Sequence, residues 1–258
     1  MSSEDRVGRA GGGRRDRGRP GRPLGAHWDP AALPRRAPRP AVSREAIVRA
    51  GLDIVDTEGI DALSMRKVAQ ALGIGTMTLY THVANKDELL DLMDDEVMGE
   101  VLLPGAVPED WREALTEIGR RTAQALLDHE WVAAAMHRRP LPGPNALMHV
   151  EQSLAAVEPL GLDAATAGEV LSIVDDYVMG FALRTIASRQ WRWEEGEAPS
   201  PVMGEQPAYL RRLLQSGDFP RLWKATADNG FEPPREDRFE RGLQWLLDGI
   251  EAALARGR

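Results

Sequence analysis

Leu63-Ser64-Met65-Arg66-Lys67-Val68-Ala69-Gln70-Ala71-Leu72-Gly73-Ile74-Gly75-Thr76-Met77-Thr78-Leu79-Tyr80-Thr81-His82-Val83-Ala84-Asn85-Lys86 is the stretch on which the fold turns. Ser64 has the short polar side chain that caps a helix, and Met65, Val68, Ala69 and Leu72 then recur at helical spacing. Gly73 supplies the left-handed stop, and after Ile74-Gly75 a further helix is expected from Thr76 to about His82. Two helices joined by about three residues, with small Ala69 four places before the turn glycine, fit a helix-turn-helix. On spacing alone, other short helical hairpins look the same. The charge pattern adds a second signal. Residues 62–86 contain no Asp or Glu, although 40 acids in 258 residues predict about four there. Arg66, Lys67, His82 and Lys86 lie inside this window, and a strongly acidic stretch, 87–100, follows it. A surface facing phosphate needs such a gap, because each acid there would repel the duplex; chance composition is the other reading.

Helical periodicity extends in both directions. Ser43 caps a helix with Glu45 in its positive first turn, and Ile47, Ala50, Leu52, Ile54 and Val55 form an apolar stripe that ends at Glu58-Gly59. Asn85 caps a helix from Lys86 towards Leu102. Further helices are expected at 108–128, 130–137, 144–158, 163–192, 208–216, 219–228 and 235–255, with a proline-rich loop at 194–208. No alternating strand pattern occurs, so the chain is expected to be all-α. In the longest helix Val170, Leu171, Ile173, Val174, Tyr177, Val178, Met179, Phe181, Ala182, Leu183 and Ile186 cover most of the circumference, and such a helix is buried on two sides. Either a partner subunit covers the second side, with the last helix (Phe239, Leu243, Leu246, Leu247, Ile250) completing a four-helix interface, or this is the central helix of a monomer.

The chain's net charge of -8 conceals a division. Residues 1–41 hold ten arginines and four acids, a net of +6, whereas the rest carries 22 cations and 36 anions, a net of -14. Seven glycines and six prolines in that first segment leave too little apolar surface to offset its ordering entropy, so a disordered basic arm is expected. Its Arg17-Gly18-Arg19-Pro20-Gly21-Arg22 run resembles an AT-hook core, whose arginines enter a narrow minor groove; a solvated low-complexity tail is the equal alternative. The absence of cysteine excludes disulfides, thiolate chemistry and sulfur-ligated metal. No apolar run reaches 18 residues and no apolar segment follows the basic N-terminus, so neither a membrane span nor a signal peptide is expected.

The motif Thr78-Leu79-Tyr80-x-His82-Val83-x-Asn85-Lys86, within 63–90, resembles the DNA-binding domain of the tetracycline-repressor (TetR) family. Arg139-Pro140, Tyr177-Val-Met-Gly-Phe-Ala-Leu183 and Phe239-Glu-Arg-Gly-Leu-Gln-Trp-Leu-Leu-Asp-Gly-Ile-Glu251 resemble its ligand-binding half, so the likeness covers roughly 43–255. It implies an N-terminal three-helix helix-turn-helix domain, 42–90, and a C-terminal helical effector-binding and dimerisation domain, 91–258, with the arm at 1–41 outside. It implies a cytoplasmic homodimer that reads a palindromic double-stranded operator in successive major grooves, with repression relieved by a small molecule. Arg66 and Lys67 would lie on the second helix, and Thr76, Met77 and Thr78 would face base edges. Tyr80, Thr81, His82 and Lys86 would hold phosphates. Apart from the family likeness, Arg17, Arg19 and Arg22 of the arm are the candidates for minor-groove contact beside the operator. Tyr80 also suits a partly buried place and His82 a capping one, while Leu79 and Val83 belong to the core. For the effector the candidates are Trp131, Met136, His137, Arg139, Met148, Asp176, Tyr177 and Met179, each of which fits plain core equally.

The likeness has departures. Arg184 stands where tetracycline repressors carry a magnesium-binding carboxylate, and Ile118 where they carry a drug-binding Asn, which argues against a metal–tetracycline effector. His129, His137 and His149 lack any metal-ligand spacing, so no metal or cofactor is expected. No Walker loop, HExxH, GxSxG or strand-borne GxGxxG occurs, which argues against an enzyme. The competing reading is a DNA-coating or architectural helix-turn-helix protein without an effector.

Overall fold

Ser43 starts the first helix as its sequence position requires, its hydroxyl oxygen accepting the Ala46 amide at 3.2 Å. That helix, α1, spans Arg44–Glu58, and Gly59 ends it at φ 83°. A 3₁₀ turn, Ile60–Ala62, leads to α2, Met65–Ala71, which Ser64 caps through the Lys67 amide. Gly73, at φ 65°, makes the turn to α3, Thr76–Leu79. The computed structural model describes residues 42–135, 141–194, 208–228 and 237–257, and every regular element there is helical. The remaining helices are α4 Lys86–Val101, α5 Trp111–Asp128, α6 Glu130–Ala135, α7 Pro144–Val157, α8 Ala164–Glu194, α9 Ala208–Gln215, α10 Pro220–Asp228 and α11 Arg238–Gly257. The proline-rich loop and the 136–137 end of the sixth expected helix fall outside the described residues. One element is shorter than expected. After Leu79 the hydrogen bonds tighten to Thr81 N–H···Thr78 O and His82 N–H···Leu79 O, and the Thr81 hydroxyl donates back to Thr78 O at 2.6 Å. Regular α geometry therefore stops four residues in.

Two cores form. In the first, Ile47 of α1, Val68 of α2, Leu79 of α3, Val83, and Leu89 and Met93 of α4 are fully enclosed. Helix α1 approaches α4 closely at Gly51, where an added Cβ would sit 2.7 Å from the Met93 sulfur. The second core joins Leu115 and Ile118 of α5, Val157 of α7, Val170, Val174 and Val178 of α8, and Leu243 and Leu247 of α11. Each such side chain contributes on the order of 1.5–3 kcal/mol of burial free energy.

Helix α4 belongs to both layers. Its far half is held by polar side chains of the second layer. Asp95 is buried, and its Oδ1 accepts the Asn145 and Ala146 amides at the start of α7, both at 3.0 Å. Arg121 of α5 donates to the Glu100 and Val101 carbonyls at 3.0 and 3.1 Å. Gln152 of α7 pairs both ways with Leu103, accepting its N–H at 2.9 Å and donating to its carbonyl at 3.2 Å. These contacts occupy carbonyls that the helix end would otherwise leave unpartnered.

On α8, Val170, Val174, Val178, Ala182 and Ile186 are buried within the chain. The opposite side carries Ile173, Asp176, Gly180, Leu183 and Ala187, spaced as the a and d positions of a heptad and exposed except for half-buried Gly180. Helix α11 adds exposed Trp245, Asp248, Gly249 and Ala252. The long helix is thus buried on one side by its own chain, and its second apolar side is open.

Candidate DNA interface and effector layer

The recognition segment is built from two anchors. Leu79 and Val83 are fully enclosed, which fixes the azimuth of α3 and turns its intervening residues outward. Thr76, Met77, Thr78, Tyr80 and Thr81 are all exposed, Met77 at 77 % and Tyr80 at 46 %. Met77 is the most exposed of the large apolar side chains described. Of the two readings of Tyr80, exposure favours the outward one. His82 is half-buried, and its backbone carbonyl accepts Arg44 Nη2 at 3.1 Å. On α2, Arg66 is exposed and makes no hydrogen bond or ion pair among the described residues. Lys67 differs: its ammonium pairs with Glu58 at the end of α1. A phosphate would have to compete with that carboxylate for the same charge. Arg17, Arg19 and Arg22 lie outside the described residues.

The loop into α4 is held by the expected cap Asn85 and by two residues, Arg44 and Glu88, that the sequence reading did not single out. Asn85 caps α4 through the Glu88 amide at 2.8 Å, and buried Glu88 accepts the Ala84 amide at 3.1 Å and Arg44 Nη2 at 3.3 Å. Arg44 and Glu88 together clamp the loop 82–86 that carries His82 and Lys86. Asn85 followed three residues later by Glu88 is capping-box spacing, and that signal was available in the chain.

The described effector candidates differ widely in burial and partners. Trp131 of α6 is buried and its indole N–H has no partner among the described residues, an unusual cost for a buried donor. Met148 is exposed on α7, beside exposed Leu147 and Val150. Met179 is half-buried on α8. Tyr177 is occupied otherwise: its hydroxyl donates to Phe239 O at 2.9 Å, and its ring lies 5.8 Å from that of Phe239. Asp176 belongs to the open heptad seam of α8, with Ile173 and Leu183. Met136, His137 and Arg139 lie outside the described residues.

An open cleft of about 560 Å³ between α5 and α11 contains none of these candidates. Its arginines are already paired, Arg112 with Asp248 and Glu251, and Arg120 with Glu117 and Glu240. Among the described residues no group of three His, Asp or Glu side chains is arranged to hold a metal ion. His149 is half-buried on α7, and burial pushes its pKa down. No helix among them is long and apolar enough to cross a membrane.

Known proteins share this architecture. Residues 47–93 match the family model for bacterial regulatory proteins of the tetR family, and residues 103–254 match the tetracyclin repressor-like C-terminal domain. The transcriptional repressor DrrR1 of Streptomyces coeruleorubidus is 34% identical over 232 residues, which cover 90% of this chain and 85% of that one. The class D tetracycline repressor of Escherichia coli is 30% identical over 83% of this chain and 91% of its own. Among solved structures, Streptomyces coelicolor ActR in complex with actinorhodin aligns with a TM-score of 0.64 at 30% identity, covering 84% of this chain and 99% of that one. With two enclosed anchors turning a short, acid-free helix outward, and a family match on either side of α4, the chain belongs to the TetR family of DNA-binding transcriptional regulators.

Proposed function

We propose that the protein is a cytoplasmic homodimeric repressor that grips a palindromic operator and releases it when a small molecule binds among α5–α8. The observation that carries this reading is the bare recognition face, Thr76, Met77, Thr78 and Tyr80, standing on the enclosed pair Leu79 and Val83. Thr76 and Thr78 are assigned to base edges, and Met77 to a thymine methyl, the one base feature in the major groove that an apolar side chain reads. Arg66, Tyr80, Thr81, His82 and Lys86 are assigned to phosphates, with Lys67 joining them when it leaves Glu58. Residues 42–90 serve as the DNA-binding domain and 91–258 as the effector-binding and dimerisation domain, and the arm at 1–41 adds charge.

The effector is sought first near Trp131, Met148 and Met179, since the bare indole N–H would bond a carbonyl or hydroxyl oxygen of a ligand. Actinorhodin, which ActR binds, is a reasonable first probe, whereas Arg184 and Ile118 speak against a magnesium–tetracycline complex. Asp176 is reassigned to the subunit seam and Tyr177 to the α8–α11 contact. Footprinting on the DNA upstream of the protein's own gene and its neighbours tests the core of this reading. A discrete palindromic footprint, lost on adding the effector, is expected; uniform coverage would establish a coating protein instead.

A further inference from the structure

His129 caps α5 at the junction of three helices, and both edges of its ring are occupied. Nδ1 lies 3.0 Å from Asp56 Oδ1 near the end of α1, and Nε2 lies 3.3 Å from Glu100 Oε2 near the end of α4. The ring is largely buried, with 13% of the side chain exposed. Asp56 belongs to the DNA-binding layer, His129 to the effector layer and Glu100 to the helix that joins them. The two nitrogens face different carboxylates from opposite edges, so a single ion could not be ligated by all three groups. This geometry makes a bridge rather than a metal site.

We propose that His129 is a positioning residue that fixes the DNA-binding layer against the effector layer through Asp56 and Glu100, and that its protonation makes operator affinity depend on pH. The proposal rests on the DNA-binding reading above. Only a protonated imidazole donates from both nitrogens, and two carboxylates offer no donor in return. Loss of the proton therefore turns one arm of the bridge from attraction to lone-pair repulsion. Of the charged groups on the elements packed round the ring, Asp56 of α1 and Glu100 of α4 reach it. Asp128, its neighbour on α5, accepts from Gln124, and Glu130 of α6 pairs with Arg189 of α8. Arg121 meets the backbone carbonyl of Glu100.

Burial alone would lower the pKa of His129, but the hydrogen bonds and charges of Asp56 and Glu100 outweigh it, and the value lies above the ordinary 6.5. With a raised folded pKa the bridge is complete below 6.5 and is lost as pH rises through the folded value. The domain setting that it favours is lost over the same window, and an operator that binds one setting better responds accordingly.

The test uses the full-length dimer and the palindrome found by footprinting. Operator Kd is measured from about pH 6 to about pH 8.5, the span over which a perturbed histidine titrates, for wild type, His129→Asn, Asp56→Asn and Glu100→Gln. The expected result is a wild-type profile that changes about threefold or more beyond that of His129→Asn, with Asp56→Asn similarly flattened. Parallel profiles, displaced by a constant factor, would mean a merely structural histidine and would overturn the proposal. Side-chain NMR titration supplies a readout free of DNA: the His129 midpoint should lie above the ordinary value and fall towards it in Asp56→Asn. A midpoint indifferent to that substitution also overturns it. If wild type binds no palindrome, the DNA-binding reading fails, and the titration still decides whether the bridge exists. Should His129→Asn not fold, the two carboxylate variants carry the comparison.

Discussion

Asp95 shows how a buried carboxylate can serve a fold and still be improved upon. Its burial raises its pKa, and the Ala146 and Asn145 amides pull in the other direction without cancelling that effect. A carboxylate with a raised folded pKa binds protons more readily in the native state, so its contribution to stability falls as pH rises above the ordinary value of 3.8. The amides both use Oδ1, which asparagine retains. Asp95→Asn should therefore match or exceed wild-type stability at neutral pH, by up to about 1 kcal/mol, whereas Asp95→Ala strands two amides and should cost about 2 kcal/mol. Chemical denaturation of both variants decides it, and an asparagine as harmful as alanine would refute the argument. Glu88 is buried as well, but it faces a cation, Arg44. Removing its carboxylate with Glu88→Ala leaves Arg44 without that partner and the Ala84 amide without its acceptor, for an expected loss of about 2–3 kcal/mol. The loop of His82 and Lys86 loosens with it, so operator affinity should fall more than the stability change alone would produce.

The helices were readable from the chain because their signals are local. Ser43, Ser64 and Asn85 cap as their side chains require, and Leu79 and Val83, four residues apart, were legible as the buried anchors at and just beyond the end of α3. The early end of α3 was less legible, since it depends on the hydroxyl of Thr81 turning back to the carbonyl of Thr78. Contacts distant in sequence were not legible at all: His129 meets Asp56 across 73 residues and Glu100 across 29, and no periodicity links such positions. Asp176, expected near the effector, lies exposed on the side of α8 that also carries Ile173, Gly180 and Leu183. For α3 itself, Met77→Ala touches no core neighbour, so melting temperature should stay unchanged while operator affinity drops about fivefold to tenfold, most at sites with thymine under the side chain. An equal loss at every sequence would place Met77 away from the bases. Lys86→Ala should instead weaken all sequences alike and reduce the salt slope by about one.

Dimerisation and charge act at a larger distance than any of these. Helices α8 and α11 each leave an unpaired face, one with Ile173 and Leu183 and the other with Trp245, and a four-helix contact between two copies would cover both. Leu183→Glu, at a position 40% exposed in the single chain, should leave the fold intact and yield monomers in sedimentation with no affinity for the full palindrome. Retained dimers would move the interface elsewhere. The charge division then bears on how such a dimer finds its operator. The body beyond residue 41 carries -14 and the arm +6, so without the arm the protein approaches DNA as a strongly acidic particle. Arm arginines that neutralise phosphates release counterions, at a slope of about 0.9 per contact. Deleting residues 1–41 should therefore lower the dependence of log Kd on log salt by about two or more per dimer while the footprint keeps its boundaries. An unchanged slope would make the arm a spectator, and a lost footprint would make it part of the reading head.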